Sequence, residues 1–104
     1  MKHQPFLINL KVPPELEGEE VFYIGRPSPL GNPFPLRSES ERDACVERYG
    51  VWLRERVKVG DARVMGALTR IKLLLETKDV GLQCYCAPKR CHGEMIIAVL
   101  GEMS

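Results

Sequence analysis

Cys84-Tyr85-Cys86-Ala87-Pro88-Lys89-Arg90-Cys91-His92-Gly93 gathers three of the chain's four cysteines and one of its two histidines. Thiolates are nucleophiles and soft metal ligands, and an imidazole is the side chain best suited to moving protons near neutral pH. Cys91 stands where a helix is expected to begin. Unpaired N–H groups and the helix dipole stabilise a thiolate there, and Lys89, Arg90 and a protonated His92 would add to the effect. Glu94, in the first turn of that helix, complements the dipole by default and becomes an acid or base if it turns toward a cleft. A catalytic centre built here would use Cys91 or Glu94 as nucleophile or base and His92 as the acid–base partner.

Two other readings of the same residues stay open. Three thiols and an imidazole match the composition of a Cys3His zinc site, but the gaps from Cys84 to Cys86 and from Cys91 to His92 are tighter than usual, and neighbours at a helix start diverge. No metal is therefore assigned, and no cofactor. In the plainest reading Cys84 is a small apolar residue of a strand, Cys86 shares its face, and His92 caps the helix. Cys84 and Cys86 do not suit a disulfide, because side chains at i and i+2 of a strand lie about 7 Å apart.

A second constellation is Gly25-Arg26-Pro27-Ser28-Pro29-Leu30-Gly31-Asn32-Pro33-Phe34-Pro35. Four prolines and two glycines in eleven residues exclude a helix or strand interior. The prolines also restrict the loop, which makes it a stiff platform. Gly25 and Gly31 allow close backbone approach or positive φ. Arg26 can hold a phosphate or carboxylate bidentately, and Ser28 and Asn32 add neutral hydrogen bonds. With Pro33, and with Cys86 and Pro88 from the other loop, these residues suggest a site for a small anionic or nucleotide-like ligand. The plainer reading is a proline-rich loop that packs Leu30 and Phe34 onto the core.

Elements that could carry these loops follow from the pattern between them. Phe6 to Val12 reads as a first strand, closed by Pro13-Pro14, and Val21-Phe22-Tyr23-Ile24 as a second. Ser38 with Glu41 has the form of a capping box opening a helix to about Val57, with Cys45, Tyr49, Trp52 and Arg56 on one stripe and Leu53 beside it. Tyr49 and Trp52 read as core, and the basic residues from Arg54 to Lys72 as solvated faces. Gly60-Asp61 breaks the chain. Val64, Leu68, Ile71 and Leu75 mark a second helix. A strand from Val80 to Tyr85 follows, then a helix from near His92 to near Met103. The order β-β-α-α-β-α predicts a small Rossmann-like α/β domain over residues 1–104, with a mostly parallel sheet flanked by helices. If strands 21–24 and 80–86 are parallel neighbours, the two loops leave the sheet at one edge and face each other across a cleft.

Composition narrows the class of function. Apolar residues make up 44% and charged residues 28% of the chain, and the net charge is +1. No global field therefore points to nucleic acid, although a nucleic-acid component stays open as a ligand. No apolar run reaches the roughly 20 residues of a membrane span, so no membrane partner is expected. The opening residues lack the apolar stretch of a signal peptide, and the expectation is a cytoplasmic, reducing setting in which cysteines do thiol or metal chemistry.

At its two loops the chain resembles the domain-of-unknown-function family 4326, whose members are small, bacterial and often phage-encoded. That family pairs "YIGR…GNPF" with a later "C(W/Y)CAP…CHG". Here these are Tyr23-Ile24-Gly25-Arg26, Gly31-Asn32-Pro33-Phe34, Cys84-Tyr85-Cys86-Ala87-Pro88 and Cys91-His92-Gly93. Tyr49 to Leu53 is similar to the family's central helix, and the resemblance extends over nearly all of the chain past residue 20. The strand-to-helix element with Cys and His is also similar to that of family 488, which has a Rossmann-like fold. The resemblance implies an α/β fold and a site at these loops, but no reaction. The expectation is a protein that binds or acts on a nucleotide, nucleoside or nucleic-acid component. The alternatives are a non-catalytic accessory module and a zinc-stabilised structural domain.

Overall fold

A computed structural model of the chain describes residues 3–9, 20–35, 37–84 and 89–103. Strands β1 (Pro5–Asn9), β2 (Glu20–Tyr23) and β3 (Val80–Cys84) form a sheet in the order β1-β3-β2, and both pairings are parallel. The register sets Leu7 and Phe22 on either side of Leu82. Side chains alternate across a pleated strand, so Leu7, Phe22, Val80, Leu82 and Cys84 share one face. All five join the hydrophobic core. On the other face the Phe6 and Ile8 side chains close over Gly81, where a Cβ would stand 3.1–3.2 Å from them.

Helices α1 (Arg42–Lys58), α2 (Ala62–Leu74) and α3 (Gly93–Met103) complete the expected β-β-α-α-β-α order. The core is built from Tyr49 and Leu53 of α1, Val64, Leu68 and Ile71 of α2, and Ile96, Val99 and Leu100 of α3. Burying one such Leu or Ile contributes on the order of 1.5–3 kcal/mol. Helix α1 stops at Gly60, whose φ of +72° is costly for any residue with a Cβ. The Asp61 carboxylate then caps α2, accepting from the Arg63 and Val64 N–H groups at 3.1 and 3.2 Å. The result is the parallel α/β class expected, with the sheet positioned by helices that follow β2 and β3.

Some boundaries differ from the expected ones. The capping box at Ser38 and Glu41 does not form. The Ser38 carbonyl takes the Glu41 N–H at 3.1 Å and starts a 3-10 turn over Glu39–Glu41, while the Ser38 hydroxyl sits 3.0 Å from that of Ser40. Helix α1 proper therefore begins at Arg42. Strand β2 covers Glu20–Tyr23 rather than Val21–Ile24, while β1 is described to Asn9 and β3 to Cys84. Residues 10–12 and Tyr85 lie outside the described residues. No helix among the described residues is long and apolar enough to cross a membrane.

Candidate functional site

Parallel pairing of β2 with β3 brings the Pro-rich loop and the Cys-His element to the same edge of the sheet. The two touch. His92 Nε2 lies 2.8 Å from the Ile24 carbonyl oxygen at the end of β2. A Cβ on Gly93 would collide with the Leu7 side chain and stand 3.0 Å from that of Ile24. Glycine at 93 is what lets the first turn of α3 settle onto β1 and β2.

His92 is 7% exposed. Burial lowers its pKa and Arg26 adds to this, against the Ile24 hydrogen bond and Cys84, which act the other way. The imidazole is therefore neutral at pH 7. A carbonyl only accepts, so Nε2 carries the proton and donates to Ile24, and Nδ1 is the unprotonated nitrogen. The Tyr49 ring meets the imidazole edge-on, with centroids 4.9 Å apart. Cys91 is 2% exposed. Its Sγ lies 3.2 Å from Cys84 Sγ and accepts the Gly93 N–H at 3.3 Å, the helix-terminus interaction expected of it.

The cationic help expected for Cys91 is directed elsewhere. A neutral His92 adds no charge. Arg90 reaches Glu47 at 2.7 Å, Asp43 at 3.1 Å and Glu94 at 2.8 Å, tying the start of α3 to α1. These carboxylates, Glu47 foremost, raise the Arg90 pKa. Lys89 pairs with Glu39. Glu94 thus meets a guanidinium, not a thiol or imidazole. Among the described residues no three His, Cys, Asp or Glu side chains are placed to hold a metal ion together.

The Pro-rich loop is pinned at several points. Ser28 N–H donates to the Gly25 carbonyl and Gly31 N–H to the Ser28 carbonyl, each at 2.9 Å. The Tyr23 hydroxyl donates to the Arg26 carbonyl at 2.8 Å, and the buried Tyr49 hydroxyl to the Leu30 carbonyl at 2.7 Å. The Arg26–Pro27 peptide is cis. Gly25 and Gly31 serve close approach rather than positive φ. A Cβ at Gly31 would stand 3.0 Å from the Arg26 Cα, and one at Gly25 would strike the Tyr23 ring. Asn32 Oδ1 accepts the Phe34 N–H at 2.8 Å, and its Nδ2 reaches Cys45 Sγ at 3.4 Å. The Ser28 hydroxyl is buried with no hydrogen-bond partner among the described residues. Arg26 and Pro33 are exposed, and Leu30 is fully buried. Cys86 and Pro88 lie outside the described residues.

Open volume lies mostly to one side of this contact. Asn32, Arg42, Cys45, Val46, Arg90, Cys91 and His92 enclose about 50 Å³. A second groove of about 410 Å³ runs along the start of α1, lined by Pro35, Arg37, Glu41, Ala44, Cys45 and Arg48. Cys45, 8% exposed, is common to both. The sequence pattern puts Cys45 in the core stripe and Glu41 in a capping box, and leaves Arg37 and Arg48 outside every motif. The available signal was helical spacing, since positions 41, 44, 45 and 48 share one face.

Fold and site together define a small parallel α/β domain with a glycine- and proline-built loop facing a thiol–imidazole helix start. The chain belongs to the family described as a domain of unknown function, DUF4326, which matches residues 9–102. No curated protein and no solved structure matches it.

Proposed function

We propose that this protein binds a small anionic, nucleotide-like ligand at the carboxyl edge of its sheet, between residues 25–34 and 86–94. The observation that carries this reading is the meeting of the two loops there, tied by His92 to Ile24. Ligands of open α/β sheets sit beyond the carboxyl ends of the strands. Arg26 is exposed at this edge and has no carboxylate partner among the described residues. Its guanidinium would take the anionic group, with Ser28 and Asn32 as neutral partners. Gly25, Gly31 and Pro33 would shape the rim on one side, and Cys86 and Pro88 would do so on the other. A binding role fits better than covalent catalysis by Cys91, because that thiol is buried against Cys84.

One observation favours a catalytic reading as the second. A neutral imidazole with Nδ1 unprotonated is the form a general base requires. In that case His92 would take a proton from the ligand, with Cys91 or Glu94 beside it.

Calorimetric titration with adenosine, AMP and ATP tests the proposal. Binding by the wild type that weakens at least tenfold in Arg26→Ala is expected. A wild type that binds none of the three would sink the reading. Product analysis of the same mixtures, with His92→Gln as control, separates binding from turnover.

A further inference from the structure

We propose that the groove along the start of α1 is a second subsite, separate from Arg26, in which Arg37 and Arg48 take a phosphate-ester group. The ligand class rests on the reading above; the groove itself does not. Its volume of about 410 Å³ falls in the usual size class of small-molecule sites, whereas the 50 Å³ beside His92 holds little more than a water.

What marks this place is two arginines lining one groove without a carboxylate partner among the described residues; Arg26, Arg63 and Arg70 also have none, but they do not line it. Arg42, Arg54, Arg56 and Arg90 each have a carboxylate within 4 Å. Arg37 and Arg48 have none among the described residues, yet both line the groove. Arg48 is also held ready. Its guanidinium lies over the Phe34 ring, 5.5 Å from the centroid, and Phe34 is fixed by its N–H bond to Asn32 and by packing on the core. A guanidinium stacked on an aromatic face keeps its N–H edge for two parallel bonds to an oxyanion.

Glu41 is the third charged group of the lining. It opposes a bare anion and accepts hydroxyl donors. Two guanidiniums and one carboxylate therefore suit a phosphate ester that carries a sugar. Cys45, where the groove meets the smaller cavity, places this subsite next to Asn32 and His92.

The test uses inorganic pyrophosphate and ribose 5-phosphate on the full chain at low ionic strength, by calorimetry. Both should bind the wild type, and each should weaken at least tenfold in Arg37→Ala and in Arg48→Ala. Arg48→Lys should recover only part of the loss. Glu41→Gln should tighten pyrophosphate while weakening ribose 5-phosphate. Bound pyrophosphate should also slow alkylation of Cys45 without changing that of Cys84 or Cys91. Absence of binding to the wild type, or binding that survives both arginine substitutions in folded protein, overturns the proposal. Pyrophosphate held through Arg37 and Arg48 when no nucleoside or nucleotide binds would keep the groove and discard the nucleotide reading. Nucleotide binding that depends on Arg26 alone would do the reverse.

Discussion

The contact between His92 and Ile24 and the groove beside α1 lie next to each other and differ in nearly every respect. At the contact the polar groups satisfy one another, and little volume is left. His92 donates to Ile24, Tyr49 to Leu30, and Arg90 joins three carboxylates. In the groove the volume is large, and two arginines lack a carboxylate partner among the described residues. The residues with the strongest chemical signature in the sequence are therefore those most engaged by the fold, and bland ones face open space. A buried polar group must be paired, so a His or Arg drawn into packing becomes part of the scaffold.

Breaking the closed region should give the largest effect. In Gly93→Ala the new methyl meets Leu7, Ile24 and the Cys91 sulfur in a tight contact. Overpacking of this kind costs about 1–3 kcal/mol, and each kcal/mol lowers Tm by about 4–8 °C in a domain of this size. Gly66→Ala is the control. Nothing lies within 4 Å of its new Cβ, and helix propensity alone should stabilise α2 by roughly 0.8–1 kcal/mol. Thermal unfolding of the two variants reads both signs. An unchanged Tm in Gly93→Ala would mean that the loops are not packed against each other.

His92 gives the next effect, and its sign follows from burial. Its folded-state pKa lies below the ordinary 6.5, so the unfolded chain binds the extra proton first as pH falls. Stability is then complete above about pH 6.5 and declines on acidification below it, toward the lowered value. The carboxylates act lower. Arg42 above all holds Glu39 to about 2, and Arg54 holds Glu102 below its ordinary 4.5. A denaturation midpoint that falls between pH 7.5 and 5.5 in the wild type should be flat over that window in His92→Gln. A wild-type midpoint equal at both pH values would show that the imidazole is not buried as described.

Much of this arrangement can be read from the residues alone. The apolar runs around Val80 and Val21, the break at Gly60-Asp61 and the spacing of Val64, Leu68 and Ile71 specify the elements, because period and turn chemistry are local. Placing both loops at one edge also follows, once the two strands are parallel neighbours. Partner choice does not. Nothing adjacent in sequence says that Arg90 meets Asp43 and Glu47 across more than forty residues, or that a neutral His92 sits on Ile24. Ser38 and Glu41 mislead for the reverse reason: a local signal lost to a 3-10 turn that the backbone formed instead.

The smallest effect sharpens the contrast between the two regions by exchanging readouts. Arg90→Met removes the cation from three carboxylates, while Arg48→Met removes one that faces the groove and rests on Phe34. Both substitutions keep the apolar stem that covers neighbouring surface. Arg90→Met should lower Tm by a few degrees at low salt, with the difference shrinking toward zero at high salt, because its partners are largely exposed and screened. Arg48→Met should lose only the exposed cation–π contact, on the order of 0.5–1 kcal/mol, with little salt dependence. For pyrophosphate the order reverses, since only Arg48 lines the groove. If Arg90→Met weakened pyrophosphate as much as Arg48→Met does, the division between a closed scaffold and an open site would fail, and the ligand would have to reach the space beside His92.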